Sequence, residues 1–368
     1  MVGTSRAGLQ MESVCDVKSA PDECPRGGQR ESVDVCQGSD EVRAAPRGRA
    51  APNAEPKCTM HMAATVQVLM STYNGTDYLR EQIESILAQD HSHVHLLVRD
   101  DGSSDGTVSV LREYEDAHED VRVVAGENLG VVQSFFRLLE LADNVDYYAF
   151  SDQDDVWKPN KLSRAVAMLE EERRSDKEPL LYFSRLEFVD EDLNHLGGSP
   201  EVKVIGFRNA LVQNQCVGCT SVFNAPARRL VAQNLPEEAL MHDWWVYAVV
   251  SALGRVIHDP VPTICYRQHS SNVVGDAASR LGRFLRRLRR FLTRNWKDDI
   301  FRPSDQARRL ARTFGDRLDD DEHELVKHMI QSKQSLLHRL SYAFTADVRR
   351  NEFIDTVLFR LMVLINRY

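Results

Sequence analysis

Short apolar runs alternate with amphipathic stretches from residue 66 onward. The runs have four or five residues, as buried strands do, and in each stretch that follows the apolar residues recur at helical spacing. The predicted strands are Val66–Met70, Val94–Val98, Val121–Val124 and Tyr147–Phe150. The predicted helices cover Leu79–Leu87, Thr107–Tyr114, Val131–Leu139 and Leu162–Leu169. Strands that alternate with helices predict an α/β fold whose mostly parallel sheet is covered on both faces.

The segments on either side of this α/β core have different patterns. Residues 1–62 show no sustained helical or strand period and are rich in Gly, Pro, Ser and charged residues, which predicts a disordered extension. The core itself is predicted to span residues 63–279. Within residues 280–368, apolar stripes around Glu324–Leu340 and Phe353–Ile365 predict a C-terminal α-helical extension.

The sequence shows neither a secretory signal nor a membrane span. The first residues lack the apolar core of a signal peptide. No stretch approaches the ~18 apolar residues that a membrane-spanning helix needs. The seven cysteines are irregularly placed. We therefore expect a cytoplasmic protein with reduced cysteines, and a peripheral position on the inner face of the cell membrane is compatible with this expectation.

Charge is unevenly distributed along the chain. Residues 60–279 carry a formal charge of −16 and residues 280–312 one of +9, within a total of −9. An acidic body of this kind is not expected to bind nucleic acid. Residues 281–294 combine a stripe of Leu and Phe with six arginines, which predicts an amphipathic helix on an anionic membrane surface. The alternative is that the stripe packs against the acidic body.

Three of the four predicted strands end in polar clusters, at Ser71–Gly75, Asp100–Thr107 and Ser151–Asp155. Any single cluster is compatible with turn or helix-capping chemistry. However, the carboxyl ends of parallel strands meet at one edge, where ligands bind, and carboxylates gathered there need a cation. Asp152 and Asp154 are two positions apart and would point to one side of an extended strand end. We therefore predict that they hold Mg²⁺ or Mn²⁺.

Several of these segments together resemble a known family. They are VQVLMSTYNG, VRDDGSSDGT, NLGVVQSF and YYAFSDQDDVWKPNKL, followed by NQCVGCTSVFN, HDWW and YRQHSSNVVG. In this order and spacing they resemble the family 2 glycosyltransferases, which have the GT-A fold. The combination of DQDDVW, HDWW and YRQH is most similar to the rhamnosyltransferase-like members. The resemblance runs from about Val66 to Gly275.

The resemblance implies a reaction and a set of site residues. The implied reaction transfers a sugar, with inversion, to a glycan or lipid-linked acceptor in cell-surface polysaccharide synthesis. The sugar that the resemblance favours is L-rhamnose, with dTDP-L-rhamnose as its donor. The residues implied to bind the nucleotide are Ser71, Thr72, Tyr73, Asp100, Asp101 and Asp152. The implied metal ligands are Asp152, Asp154 and His269, with Asp155 assisting through water. Asp243 of HDWW is implied to be the catalytic base. The alternatives are a UDP-hexose transferase and a non-catalytic nucleotide-sugar-binding module.

Two motifs also have purely structural interpretations. HDWW is compatible with an apolar helix face that includes Trp244 and Trp245, with Asp243 near the helix N-terminus. Cys216 and Cys219 form a C-x-x-C pair, but no second pair or paired histidines follow at a distance suited to a zinc site. Their apolar neighbours predict that both are small core cysteines.

Overall fold

A computed structural model of the protein describes residues 64–268 and 302–368. The strands are β1 Val66–Thr72, β2 Val94–Asp100, β3 Val121–Ala125, β4 Tyr147–Ser151, β5 Val156–Trp157, β6 Leu180–Val189, β7 His195–Gly198, β8 Ser221–Asn224 and β9 Arg255–Arg267. The first seven helices are α1 Leu79–Leu87, α2 Thr107–Ala117, α3 Val131–Leu141, α4 Lys161–Glu172, α5 Phe207–Ala210, α6 Ala225–Ala232 and α7 His242–Leu253. Four helices follow in the C-terminal part: α8 Pro303–Phe314, α9 Asp320–Gln331, α10 Leu336–Thr345 and α11 Phe353–Leu364.

The strands form one sheet in the order β3-β2-β1-β4-β8-β6-β9-β5, and β7 pairs with β6. The four strands predicted from the sequence, β1 to β4, pair in parallel. The later strands form a mixed half, in which β8 is antiparallel to both β4 and β6 while β6 and β9 are parallel. The predicted α/β class and all four strand–helix units are therefore confirmed.

Both faces of the sheet are buried, which explains the continuous apolar runs. Along β1, Val68 and Met70 face one hydrophobic core while Leu69 between them faces the other, because successive strand residues point to opposite faces. Helices α1, α2 and α4 cover the first face, and α3, α6 and α7 cover the second. The sheet edge at the strand ends remains available for polar groups.

The predicted C-terminal α-helical extension is present as four helices, which extend the second core. Phe314 of α8 lies against Trp245 of α7, with ring centroids 6.3 Å apart, and Phe359 and Val363 of α11 belong to the same buried set. No helix in the described ranges is long and apolar enough to cross a bilayer. The extension predicted to be disordered, His269 and the basic segment 281–294 all lie outside the described residues.

Candidate functional site

The three polar clusters begin side by side at one edge of the sheet. Thr72 pairs with Asp100 across β1 and β2, and Met70 pairs with Ser151 across β1 and β4. These strands are parallel, so their carboxyl ends coincide, as the sequence analysis expected. The loops that follow therefore share one surface.

Asp100 holds the turn that follows β2. Its carboxylate accepts hydrogen bonds from Thr72 Oγ1 at 3.1 Å, from Gly102 N at 3.1 Å and from Ser103 N at 2.9 Å. Asp100 and Thr72 are both buried. These contacts are those of turn chemistry, and a direct contact of Asp100 or Thr72 with a nucleotide stays a prediction.

Asp101 joins the turn after β2 to the loop before α3. Its carboxylate pairs with the buried guanidinium of Arg99 and accepts hydrogen bonds from Leu129 N and Gly130 N, each at 2.8 Å. Gly130 has a φ of 80°, a conformation that favours glycine. Since both oxygens of Asp101 are engaged, its visible role is to shape the loop, and the predicted nucleotide contact is not tested.

Hydrogen bonds anchor the end of β1 and the loop that follows it. Ser71 Oγ lies 2.6 Å from Ser134 Oγ of α3. Tyr73 N donates to Gln153 Oε1 at 2.8 Å, and Gln153 Nε2 donates to Tyr73 O at 3.2 Å. Tyr73 is 50% exposed. Gly75 leaves room for the Gln153 amide, which a Cβ at this position would meet at 2.3 Å.

An acidic cluster follows β4 and consists of Asp152, Asp154 and Asp155. Asp155 is 1% exposed; its Oδ1 accepts a hydrogen bond from Arg267 N at 3.3 Å, whereas its Oδ2 is buried without a hydrogen-bond partner among the described residues. Oxygen ligands from carboxylates are those that Mg²⁺ and Mn²⁺ take. A buried carboxylate oxygen without a donor is therefore what a cation site requires.

Electrostatics point in the same direction. Burial raises the pKa of Asp152 to about 7, and the carboxylates of Asp154 and Asp243 add to the rise. Burial also raises the pKa of Asp155 well above its usual range, with Asp152 and Asp154 as further causes. Like charges in a shared site disfavour ionisation. The residues present thus fit a divalent cation, which would relieve this repulsion.

Arg267 at the end of β9 forms hydrogen bonds with the loop of the acidic cluster. Its Nε donates to the backbone oxygen of Asp154 at 3.1 Å, and its other nitrogens donate to Glu191 O and to the Glu81 carboxylate. Its guanidinium also lies 4.4 Å from the centroid of the Tyr78 ring. From the sequence, YRQH was singled out only for its histidine, and this role of Arg267 was not predicted. A buried arginine beside a loop of carboxylates could have been suspected only if β9 had been placed against that loop.

Lys161 is a second cation that the sequence analysis missed. It is the first residue of α4 and is fully buried, with Nζ 4.4 Å from the centroid of the Trp157 ring and no hydrogen-bond partner among the described residues. Burial lowers the pKa of Lys161 to about 8, opposed by the nearby Cys219, Cys216 and Asp155. A buried lysine is rare, so its place beside the acidic cluster is part of the site's charge balance.

Asp243 lies in the first turn of α7 and is 6% exposed. Its Oδ2 accepts from Gly218 N at 2.8 Å and its Oδ1 from Trp244 N at 2.6 Å. Burial raises the pKa of Asp243 to about 6 in spite of these donors. Its carboxylate also raises the pKa of Asp152, which places it within electrostatic reach of the acidic cluster. The helical interpretation of HDWW is correct, and it is compatible with a role for Asp243 as a base.

His242 beside it is a packing residue. Its ring stacks on Phe135 with centroids 3.8 Å apart, and burial lowers its pKa to about 3, so it is neutral. A Cβ on Gly218 would lie 2.9 Å from His242 Nε2. Gly218 therefore both donates to Asp243 and leaves room for the neighbouring imidazole.

Part of the chain matches a known family. Residues 67–227 match the family model described as glycosyl transferase family 2. The dTDP-rhamnosyl transferase RfbG of Shigella flexneri is 27% identical over 222 residues, which cover 56% of this chain and 73% of RfbG. The matched residues include the polar loops and the acidic cluster, whereas Asp243 lies beyond the part matched by the family model.

Two further matches are more limited. TuaG of Bacillus subtilis (strain 168), a glycosyltransferase named for teichuronic acid biosynthesis, is 32% identical over 163 residues, which cover 43% of this chain and 60% of TuaG. Among solved structures, S. aureus TarS 1-349 in complex with UDP-GlcNAc gives a TM-score of 0.45 at 16% identity, over 83% of this chain and 93% of that chain.

Proposed function

Because residues 67–227 are a family 2 glycosyltransferase domain, we propose that the protein transfers a sugar from a nucleotide-diphosphate donor to a glycan or lipid-linked acceptor with inversion at the anomeric carbon. The observation that carries the proposal is the position of Asp243, a buried carboxylate at a helix N-terminus within electrostatic reach of the acidic cluster. A site of this kind combines a cation-binding group with a separate base. We assign the proposed reaction to cell-surface polysaccharide synthesis.

The donor would bind along the loops after β1, β2 and β4. Ser71, Tyr73 and the turn held by Asp100 and Asp101 form the wall for the nucleoside. The half-exposed Tyr73 ring offers a stacking surface for the base. The diphosphate would lie beside the acidic cluster. Gln153, which belongs to the same loop as the cluster, forms two hydrogen bonds with the Tyr73 backbone in the loop after β1.

Asp152 and Asp154 would hold Mg²⁺ or Mn²⁺, and His269 stays a predicted further ligand. When bound, the cation neutralises charge that develops on the departing diphosphate. The chain itself supplies the support for this site, because Arg267 fixes the acidic loop through the Asp154 backbone and the Asp155 carboxylate. The dependence on a metal is part of the proposal.

Asp243 would accept the proton of the acceptor hydroxyl while that oxygen attacks the anomeric carbon. A base must be ionised to do so, and its pKa of about 6 leaves it ionised at neutral pH. In a single displacement the new glycosidic bond forms as the bond to the diphosphate breaks, which inverts the anomeric configuration. The acceptor proton ends on a carboxylate oxygen of Asp243.

Our best donor is dTDP-L-rhamnose, and its support is the likeness to RfbG, which is named as a dTDP-rhamnosyl transferase. A UDP-hexose donor is the alternative within the same reaction. We further propose that the enzyme acts in the cytoplasm and that residues 281–294 contact an anionic membrane surface, since their sequence combines arginines with an apolar stripe.

The donor is tested by thermal unfolding with dTDP, UDP, GDP and CMP, each with and without Mn²⁺. A ligand that binds the folded state raises the unfolding free energy by ~2.7 kcal/mol at a hundredfold excess over its Kd. We expect a Mn²⁺-dependent shift with dTDP that exceeds the shift with the other nucleotides. Selectivity for UDP would overturn the donor and keep the enzyme class. The absence of a shift with any nucleotide would contradict the proposed function itself.

The base is tested by Asp243→Asn, with Asp116→Asn on the exposed surface of α2 as the matched control. We expect turnover of the sugar nucleotide to fall ~10²–10⁴-fold, the usual contribution of a general base, while the nucleotide shift is retained. Asp116→Asn should leave both measurements unchanged. Retained turnover in Asp243→Asn would remove Asp243 as the base. Nucleotide binding without turnover in the unmodified protein would favour the non-catalytic binding module.

A further inference from the structure

A thiol lies inside the acidic cluster. Cys219 belongs to the one-turn 3₁₀ helix Gly218–Thr220 that precedes β8, and its side chain is fully buried. Its Sγ and one carboxylate oxygen each from Asp152 and Asp155 all lie within 4.8 Å of one another. In the ranges that the structure describes, no other three Cys, His, Asp or Glu side chains bring their ligand atoms so close together.

This spacing is close to that of a metal site. Zinc bonds to sulfur at ~2.3 Å and to carboxylate oxygen at ~2.0–2.2 Å, so a sulfur and an oxygen on one ion lie at most ~4.5 Å apart. The observed limit of 4.8 Å between the three atoms exceeds that span by a small margin. Asp155 also has a buried Oδ2 without a hydrogen-bond partner among the described residues, and this atom lacks the donor that burial demands.

We propose that Cys219 is a third, sulfur ligand of the acidic cluster, and that the site therefore binds a thiophilic divalent cation such as Zn²⁺ more tightly than Mg²⁺ or Mn²⁺. Thiolate is a soft ligand that favours zinc over magnesium, and zinc also exceeds manganese in its general affinity for such sites. On binding, the S–H bond breaks, a sulfur–metal bond forms and the proton passes to solvent. This inference rests on the proposed function, because the same carboxylates are assigned there to the catalytic cation.

The consequence for the enzyme is competition. Zn²⁺ held by Asp152, Asp155 and Cys219 occupies oxygens that the catalytic cation also needs. With three protein ligands a tetrahedral Zn²⁺ keeps one open coordination position, which is fewer than a six-coordinate Mg²⁺ or Mn²⁺ held by two carboxylates keeps for a diphosphate. Zn²⁺ thus acts as an inhibitor of the loaded enzyme.

The chain offers a matched control three residues away. Cys216 is likewise a free, buried cysteine, but its sulfur is not one of the three clustered ligand atoms. Cys216→Ser and Cys219→Ser make the same chemical change at similar depth in the same segment. A difference between the two variants therefore reports the position of the sulfur and not the loss of a buried thiol as such.

The experiment uses Co²⁺ alone as a spectroscopic substitute for Zn²⁺, with the full-length protein free of other metals. We expect a sulfur-to-cobalt charge-transfer band in the near ultraviolet in the unmodified protein and in Cys216→Ser. The band should be lost in Cys219→Ser. Calorimetric titration should show Zn²⁺ binding weakened at least ~10–100-fold in Cys219→Ser, since loss of even a supporting partner costs that much, whereas Mn²⁺ binding is unchanged.

Each other outcome contradicts the inference in a distinguishable way. Co²⁺ binding without a charge-transfer band in the unmodified protein overturns the role of Cys219 and leaves the carboxylate metal site of the proposed function intact. The absence of binding of Co²⁺, Zn²⁺ and Mn²⁺ overturns both. If Cys219→Ser unfolds, Cys219→Ala is measured in its place, and a band that survives there assigns the sulfur to another cysteine.

Discussion

Two groups of aspartates lie at the same edge of the sheet and differ in what holds them. Both oxygens of Asp100 and of Asp101 accept hydrogen bonds from backbone N–H groups or side chains, and Asp101 also pairs with Arg99. In the acidic cluster, by contrast, Asp155 leaves one oxygen without a partner among the described residues, and burial raises the pKa of both Asp152 and Asp155.

This difference in hydrogen bonding assigns the two groups of aspartates to different tasks, one structural and one in binding. A carboxylate that is fully hydrogen-bonded stabilises its loop in the absence of any ligand. A carboxylate that is buried beside other carboxylates destabilises the metal-free protein and gains when a cation arrives. The first group should therefore matter for folding, and the second for binding.

The largest effect is expected where the first group is broken. Asp101→Ala leaves the buried guanidinium of Arg99 without its carboxylate and removes the acceptor of Leu129 N and Gly130 N. We expect the free energy of unfolding in urea to fall by ~3–5 kcal/mol, because an unpaired buried charge remains. Asp116→Ala, at an exposed site, is the control. A loss below ~1 kcal/mol, as for a surface pair, would mean that Asp101 does not hold the loop.

The second group should show the opposite sign and a smaller effect. Burial raises the pKa of Asp152 from its ordinary value of 3.8 to about 7, so the metal-free fold binds its proton more tightly than the unfolded chain does. This contribution to stability is present at acid pH and is lost as the pH rises through about 7. Asp152→Asn should therefore gain stability relative to the unmodified protein as the pH rises.

The measurement is thermal unfolding of both proteins across this pH range, with and without Mn²⁺. Mn²⁺ should stabilise the unmodified protein at neutral pH and leave Asp152→Asn unaffected. If the thermal stability of the two proteins changed in parallel with pH, the pKa of Asp152 would not be raised in the folded protein. An equal response of both to Mn²⁺ would remove it from the cation site.

The smallest effect is expected for Gln153, which joins the loop of the acidic cluster to the loop after β1. Gln153→Ala removes two partly exposed hydrogen bonds to the Tyr73 backbone, which should cost about 1 kcal/mol of unfolding free energy. Gln133→Ala, which removes one exposed hydrogen bond to Glu237 O, is the control. Only Gln153→Ala should weaken nucleotide binding. Equal nucleotide affinity in both variants would mean that the loops are positioned independently.

The sequence allowed prediction of those features that a short segment reveals by its own residue pattern. The period of apolar residues located β1 to β4 with their helices, and the spacing of Asp152 and Asp154 indicated a cation site. Lys161 could not be recognised, because a lysine at the start of a helix is normally exposed and nothing local marks its burial. Cys219 was assigned to the core, which is correct for its burial but omits the carboxylates beside it.

The role of Arg267 was hidden for a different reason. It depends on the antiparallel pairing of β5 with β9, in which Val156 lies opposite Cys265 and which brings a residue 113 positions away along the chain to the Asp154 backbone. Pairing between distant strands leaves no periodic trace in either segment. The mixed half of the sheet was missed for the same reason.

The pairing of β5 with β9 also has a consequence for the order in which the chain folds. Val66 of β1 pairs with Tyr147 of β4 across 81 positions, whereas Val156 of β5 pairs with Cys265 of β9 across 109 positions, the largest separation in the described sheet, and closure of longer loops is slower. Arg267, at the far end of β9, reaches the acidic loop only after this step. We therefore expect a chain on its way to the native state to assemble its nucleoside-side loops first and to acquire a cation-binding loop last.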